Sequence, residues 1–209
     1  MGTTATDSGG GGDFTPAPEG THRARCVRVI DLGTQPGSQQ YPTPKQKVLI
    51  AWELPNETIE WEGKEEPRLT MSRYTLSLHE NAALRRDLQS WRGRAFTETE
   101  LAGFDLKTVL GVPCMITLVH SSDGKYANIQ AVAGLPKGME APPQVLPSVH
   151  YEIEEGASEA FNGFSEKMQD TIRSAPEWPG GNDGPPASQS DPDDPGFGDG
   201  DMDPNSIPF

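Results

Sequence analysis

The chain is poor in cysteine, in long apolar runs and in residue groupings that perform chemistry. Cys26 and Cys114 are its two cysteines, each inside an apolar stretch, ARCVRVI and VPCMITLV. A pair so distant gives no disulfide framework. With no second Cys or His at ligand spacing, the expected state is two reduced core thiols. No apolar run approaches the roughly 20 residues of a membrane helix. The opening MGTTATDSGGGG has neither the basic nor the apolar region of a secretory signal, so a cytoplasmic setting is expected. Gly2 alone is too short a motif to assign myristoylation. Catalytic signatures are missing too. The sequence holds no glycine-rich phosphate loop and no nucleophile elbow, and His22, His79, His120 and His150 are scattered without metal-ligand spacing. No catalytic residue, metal or other cofactor is expected.

Apolar residues make up 33%, low for a wholly globular chain of 209 residues, while Gly 23 and Pro 20 are high. That balance implies one modest core with unstructured extensions. The net charge of −14 is unevenly spread. Residues 20–150 carry 14 acidic and 15 basic groups, whereas residues 151–209 carry 14 acidic and 2 basic. A nearly neutral body with an acidic arm can meet a basic patch on itself or on a partner.

The chain divides into a Gly/Ser/Thr-rich flexible leader over 1–19, a folded domain over 20–140, a linker over 141–157 and a short amphipathic helix over 158–173. Beyond lies a disordered acidic tail over 174–209. THRARCVRVIDLG reads as a first strand. In KQKVLIAWELP, Val48, Ile50, Trp52 and Leu54 alternate onto one face of a second strand, and RLTMSRYTL reads as a third. Ser77 and Glu80 have capping-box spacing for a helix whose stripe is Ala83, Leu84, Leu88 and Trp91, stopped by Gly93. Thr97 with Glu100 starts another short helix, and 105–111 forms a turn. VPCMITLVH and KYANIQAVA then form a hairpin about Asp123-Gly124. Ala127, Ile129 and Ala131 share one face of its second strand, opposite Tyr126, Asn128 and Gln130. Three strands, a helical insert and a two-stranded hairpin give the element order of a mainly β, five-stranded OB-fold barrel, an order that other small barrels share. Phe161, Phe164, Met168 and Ile172 give the later helix an apolar face, either docked on the barrel or free for a partner.

Proteins that coat single strands combine cations for phosphates with rings on which bases stack, each stacked base being worth about 1–3 kcal/mol. The strands and loops here interleave Arg23, Arg25, Arg28, Lys45, Lys47, Arg68, Arg73 and Lys125 with Tyr41, Trp52, Trp61, Tyr74 and Tyr126. The expected nucleic-acid-binding residues are Arg23, Arg25, Lys45, Lys47, Trp52, Trp61, Arg68, Arg73, Tyr74, Lys125 and Tyr126. Trp52 is in phase with core positions, so it serves equally as core. Arg73 and Tyr74 are adjacent in a strand and must point to opposite faces. Arg85, Arg86, Arg92 and Arg94 read as a solvated helix face.

The stretch from YTLSLHENAALRRDLQSW through VPCMITLVHSSDGKYANIQAVAGLPKG resembles the single-stranded DNA-binding proteins of bacteriophages and prophages. The chain also ends in DMDPNSIPF, which resembles the acidic, Ile-Pro-Phe-ended tip of bacterial single-stranded DNA-binding proteins. It departs from that tip at Pro204, Asn205 and Ser206. The resemblance implies sequence-independent coating of single-stranded DNA during replication, recombination or repair. It also implies a tip that recruits partner enzymes through Asp199, Asp201, Asp203, Ile207, Pro208 and Phe209. The alternative is a protein–protein adaptor that uses the tail helix and tip, with the barrel as scaffold. Monomers, dimers and closed tetramers are all compatible with the sequence.

Overall fold

The computed structural model describes residues 15–37, 41–61 and 63–179, the side chain of Trp61 excepted. The architecture is a mainly β, antiparallel, open sheet with helices on it. Its strands are β1 (Gly20–Gln35), β2 (Lys45–Trp61), β3 (Lys64–Thr75), β4 (Pro113–His120), β5 (Ala127–Ala133) and the short β6 (Val149–Tyr151). The hydrogen-bonded path runs β3-β2-β1-β4-β5, with β6 paired to β1 in parallel. Among the described residues no ladder joins the end strands β3 and β5, although they approach one another. The helix α1 (Ala83–Arg92) packs against both.

The strands follow the chemistry of their side chains. Val48, Ile50, Trp52 and Leu54 all face inward, as their alternation requires. They meet Ala24, Cys26 and Val29 of β1, Cys114, Ile116 and Leu118 of β4, and Leu84, Leu88 and Trp91 of α1. Both cysteines are buried and unpaired, and burial pushes both thiols up, Cys26 to about 12. Gly93 adopts φ 66° and ends α1, while Thr97 and Glu100 close a reciprocal capping box on α2 (Glu98–Ala102).

Two local expectations are corrected. Ser77 and Glu80 do not cap α1, which begins at Ala83 behind Ala82, with no side-chain cap. The Ser77 hydroxyl instead accepts the His79 N–H, and the His79 ring accepts that of Asn81, so 77–81 closes on itself as turns. In β5 the ladder shifts between Ile129 and Ala131, leaving Gln130 as an extra residue. That bulge reverses the phase, so Ile129 packs on the core, Ala131 is exposed and Val132 is buried.

The larger correction concerns the ends. The segment read as a linker is fixed to the sheet: Glu53, fully buried, accepts the N–H groups of Val145 and Leu146, and β6 lies beside Arg28, Val29 and Ile30. The amphipathic helix is two helices, α3 (Glu159–Asn162) and α4 (Glu166–Arg173), broken at Gly163. Together with Tyr151 and Ile153 they form a second core. Phe161, Phe164, Ile172 and Ala175 cover Ile30, Leu32, Leu49 and Ala51 on the outward face of β1 and β2. Gly33, at φ 65°, makes this closure possible, because a Cβ there would lie 2.5 Å from that of Ala175. Glu177 accepts both the N–H and the hydroxyl of Thr34, so the packed structure runs past 174. At the other end, residues 15–19 are pinned rather than loose. Arg68 donates to the Thr15 carbonyl, His120 meets that of Ala17, His22 that of Pro18, and Ala17 is buried. Residues 1–14 and 180–209, with most of the expected leader and tail, lie outside the described residues. No helix among the described residues is long and apolar enough to cross a membrane.

Candidate nucleic-acid interface

Two of the expected stacking rings belong to the inner core. Trp52 is 1% exposed and packs at 5.8 Å against Trp91. It alternates in phase with Ile50, and the space under α1 takes its whole indole. Tyr74 is buried on the same side, its hydroxyl donating to Asp87 at 3.1 Å. Burial and the Asp87 charge raise that hydroxyl well above the ordinary tyrosine range. Neither ring is available to a base. Trp61 ends β2 at the tip of the hairpin, and its side chain lies outside the description. Tyr126 is half-buried beside the β4–β5 turn, while Tyr41 is an exposed ring.

The cations separate into groups rather than lining one groove. Arg25 donates to the carbonyls of Pro142 and Gly111, and Arg23 to that of Glu140 at 3.4 Å. These two hold the 111 and 140–142 segments against β1, and the binding role expected of Arg25 is corrected to this structural one. Arg68 is likewise occupied by Thr15. Lys125 is exposed at the β4–β5 turn, its ammonium 3.9 Å from Asp123. Arg92, expected in a solvated face, sits over Phe96 at 4.4 Å and Phe104 at 4.8 Å and pairs with Glu100.

What the structure does bring together is Lys45, Lys47 and Arg73. Alternation puts all three on the outward face, with Lys47 opposite Thr75 and Arg73 opposite Leu49. The Lys47 ammonium donates to the Thr75 hydroxyl at 3.1 Å. Arg73 does point away from Tyr74, as strand geometry demands, and makes no hydrogen bond or ion pair among the described residues. From Thr75 toward the hairpin tip the outward positions of β3 are Arg73, Met71 and Leu69, all half-buried. The hairpin arm beyond them carries Glu57, Glu60, Glu65 and Glu66. The strip is therefore cationic at one end, apolar in the middle and acidic at the far end. Trp61 and Lys47 lie 14 residues apart along β2, roughly 46 Å if extended, so they cannot serve one short contact.

Arg28 is a member of this face that spacing alone does not single out. The ladder shift between Cys26 and Arg28 makes Val27 the extra residue of a bulge, turning Arg28 outward opposite Ala51. Among the described residues no cluster of His, Cys, Asp or Glu has the geometry to hold a metal ion. Set against known proteins, the chain matches no family model, no curated protein and no solved structure.

Proposed function

We propose that the chain binds single-stranded DNA without sequence preference, as an OB-type barrel whose strand contact lies on the outward β2–β3 face. The observation that carries the reading is the strand path β3-β2-β1-β4-β5, with α1 between β3 and β4 in the chain and packed against both end strands. That is the Greek-key order of the OB-fold, in which the strand 2–3 face commonly binds oligonucleotides. Lys45, Lys47 and Arg73 contribute phosphate contacts at one end of that face. Tyr41 and Trp61 are the rings left for bases once Trp52 and Tyr74 are assigned to the core. The sequence resemblance directs the choice to DNA over RNA. The same reading keeps the tip, with Asp199, Asp201, Asp203, Ile207, Pro208 and Phe209, as a hook for replication or recombination enzymes. The adaptor alternative loses its helix, because the apolar faces of α3 and α4 are buried against the sheet.

The test is a fluorescence titration with oligo(dT) and with a duplex of equal charge, at two salt concentrations. Quenching by the single strand that weakens steeply with salt is expected, since phosphate contacts release counterions. Equal affinity for the duplex, or no binding of the single strand, refutes the proposal.

A further inference from the structure

Arg28 and Arg73 stand on the outward face of the sheet, on either side of β2. Arg28 is in register with Ala51 on one side and Val149 on the other, while Arg73 is in register with Leu49. Strand spacing and rise put their Cα atoms on the order of 12 Å apart. Two arginine side chains reaching inward can meet across that gap. The β2 residue directly beside Arg28 is Ala51, whose methyl group leaves the floor between them low.

Both guanidiniums are half-buried, and neither has a hydrogen-bond or ion-pair partner among the described residues. Burial alone lowers Arg28 from its ordinary value, with no acidic group raising it. A guanidinium nevertheless keeps its charge throughout the accessible pH range. Its desolvation is thus a standing cost that the free protein leaves uncompensated. Glu53 shares the face, but its two carboxylate oxygens already accept the N–H groups of Val145 and Leu146. Other half-buried arginines in the chain are engaged: Arg25 by carbonyls, Arg92 by Glu100 and two rings.

We propose that Arg28 and Arg73 together hold one phosphate group across β2, each guanidinium fork donating to its oxygens. The chemistry recognised is a phosphate mono- or diester, and planar forks suit it better than point charges do. That the phosphate belongs to a DNA backbone rests on the single-strand reading above. The pair itself does not depend on it.

The experiment uses the full chain and the variants Arg28→Met, Arg28→Lys and Arg73→Gln. One arm measures the thermal midpoint in inorganic phosphate against chloride at equal ionic strength. The other measures affinity for oligo(dT) as a function of salt. Phosphate is expected to raise the wild-type midpoint, and Arg28→Met to lose that rise while its own midpoint in chloride stays equal or climbs. Lys at 28, charged but without the fork, should fall between. In the oligo(dT) arm each arginine removed should lower the slope of log K against log salt by about 0.7. Loss of either response in both the 28 and 73 variants supports the pair, and retention of both responses overturns it. A phosphate response without oligo(dT) binding leaves the pair standing and removes the single-strand reading. Oligo(dT) binding with unchanged slopes and an unchanged phosphate response does the reverse.

Discussion

Replacing Phe161 by alanine tests whether the C-terminal helices belong to the fold or await a partner. The Phe161 ring is fully buried, with the rings of Trp178 at 4.7 Å, Tyr151 at 6.0 Å and Phe164 at 6.4 Å. The Arg173 guanidinium lies 5.0 Å from its centroid. Truncating a core phenylalanine costs about 3–5 kcal/mol. With three ring neighbours and a cation at stake, a loss of about 4 kcal/mol is expected, since ring pairs hold about 0.5–1.5 kcal/mol each beyond burial. Domains of this kind have about 5–15 kcal/mol in total, so the variant folds but with little reserve. For an m-value near 2 kcal/mol per molar, within the usual range of about 1–3, the urea midpoint falls by about 2 M. Urea titration followed by far-ultraviolet circular dichroism and by tryptophan emission measures it. Trp178 reports on the outer layer, and Trp52 and Trp91 on the inner core, so coincident curves mean that the two layers unfold together. A loss below about 1 kcal/mol would refute the packed layer and restore α3 and α4 as free interaction helices.

Three further outcomes are expected. Tyr74→Phe removes a buried hydroxyl bonded to Asp87 and should cost about 1–2 kcal/mol. Oligo(dT) affinity should stay unchanged, and a clear loss of binding would return Tyr74 to the contact surface. Glu100 is held down to about 2, chiefly by the Arg94 hydrogen bonds, with the Thr97 N–H and Arg92 assisting. A carboxylate depressed in the folded state stabilises above its unfolded value near 4.5 and loses that contribution as pH falls toward 2. Glu100→Gln should therefore lower the thermal midpoint at pH 5–7 and flatten its fall between pH 4.5 and 2; an unaltered profile contradicts the assignment. Finally, Lys47→Ala should lower the log–log salt slope of oligo(dT) binding by about 0.7, while Lys107→Ala, on the 3-10 turn after α2, leaves it unchanged. Equal effects at both positions would mean that the cations act only through overall charge.

The inner half of the molecule is legible from its residues, because local rules settle it. Period-two alternation fixes the inward set of β2, the 84–88–91 stripe fixes α1, and Thr97 with Glu100 fixes the start of α2. The outer layer is not legible in the same way. Phe161, Phe164 and Ile172 announce an apolar face, yet nothing nearby in the chain says what covers it. The answer lies in β1 and β2, where Leu49 and Ala51 make VLIAWEL apolar on both faces, the mark of a strand buried on both sides. The site is legible only in part for a related reason. Facing follows from alternation, which separates Arg73 from Tyr74, but the bulge at Val27 that turns Arg28 outward has no local signal. Arg25 was indistinguishable in sequence from a phosphate ligand, because its partners are carbonyls more than 80 residues away.

The parallel pairing of β6 with β1 bears on how this chain is made. Ile30 is synthesised early, and Tyr151, its ladder neighbour, 121 residues later. At about 5–20 residues per second the ribosome needs roughly 6–24 s to supply it. Through that interval the nascent sheet presents Ile30, Leu32, Leu49 and Ala51 uncovered, with one edge of β1 open. Translation speed over the second half of the message, and any factor that shields that stripe meanwhile, thus governs how much chain reaches the native state instead of aggregating.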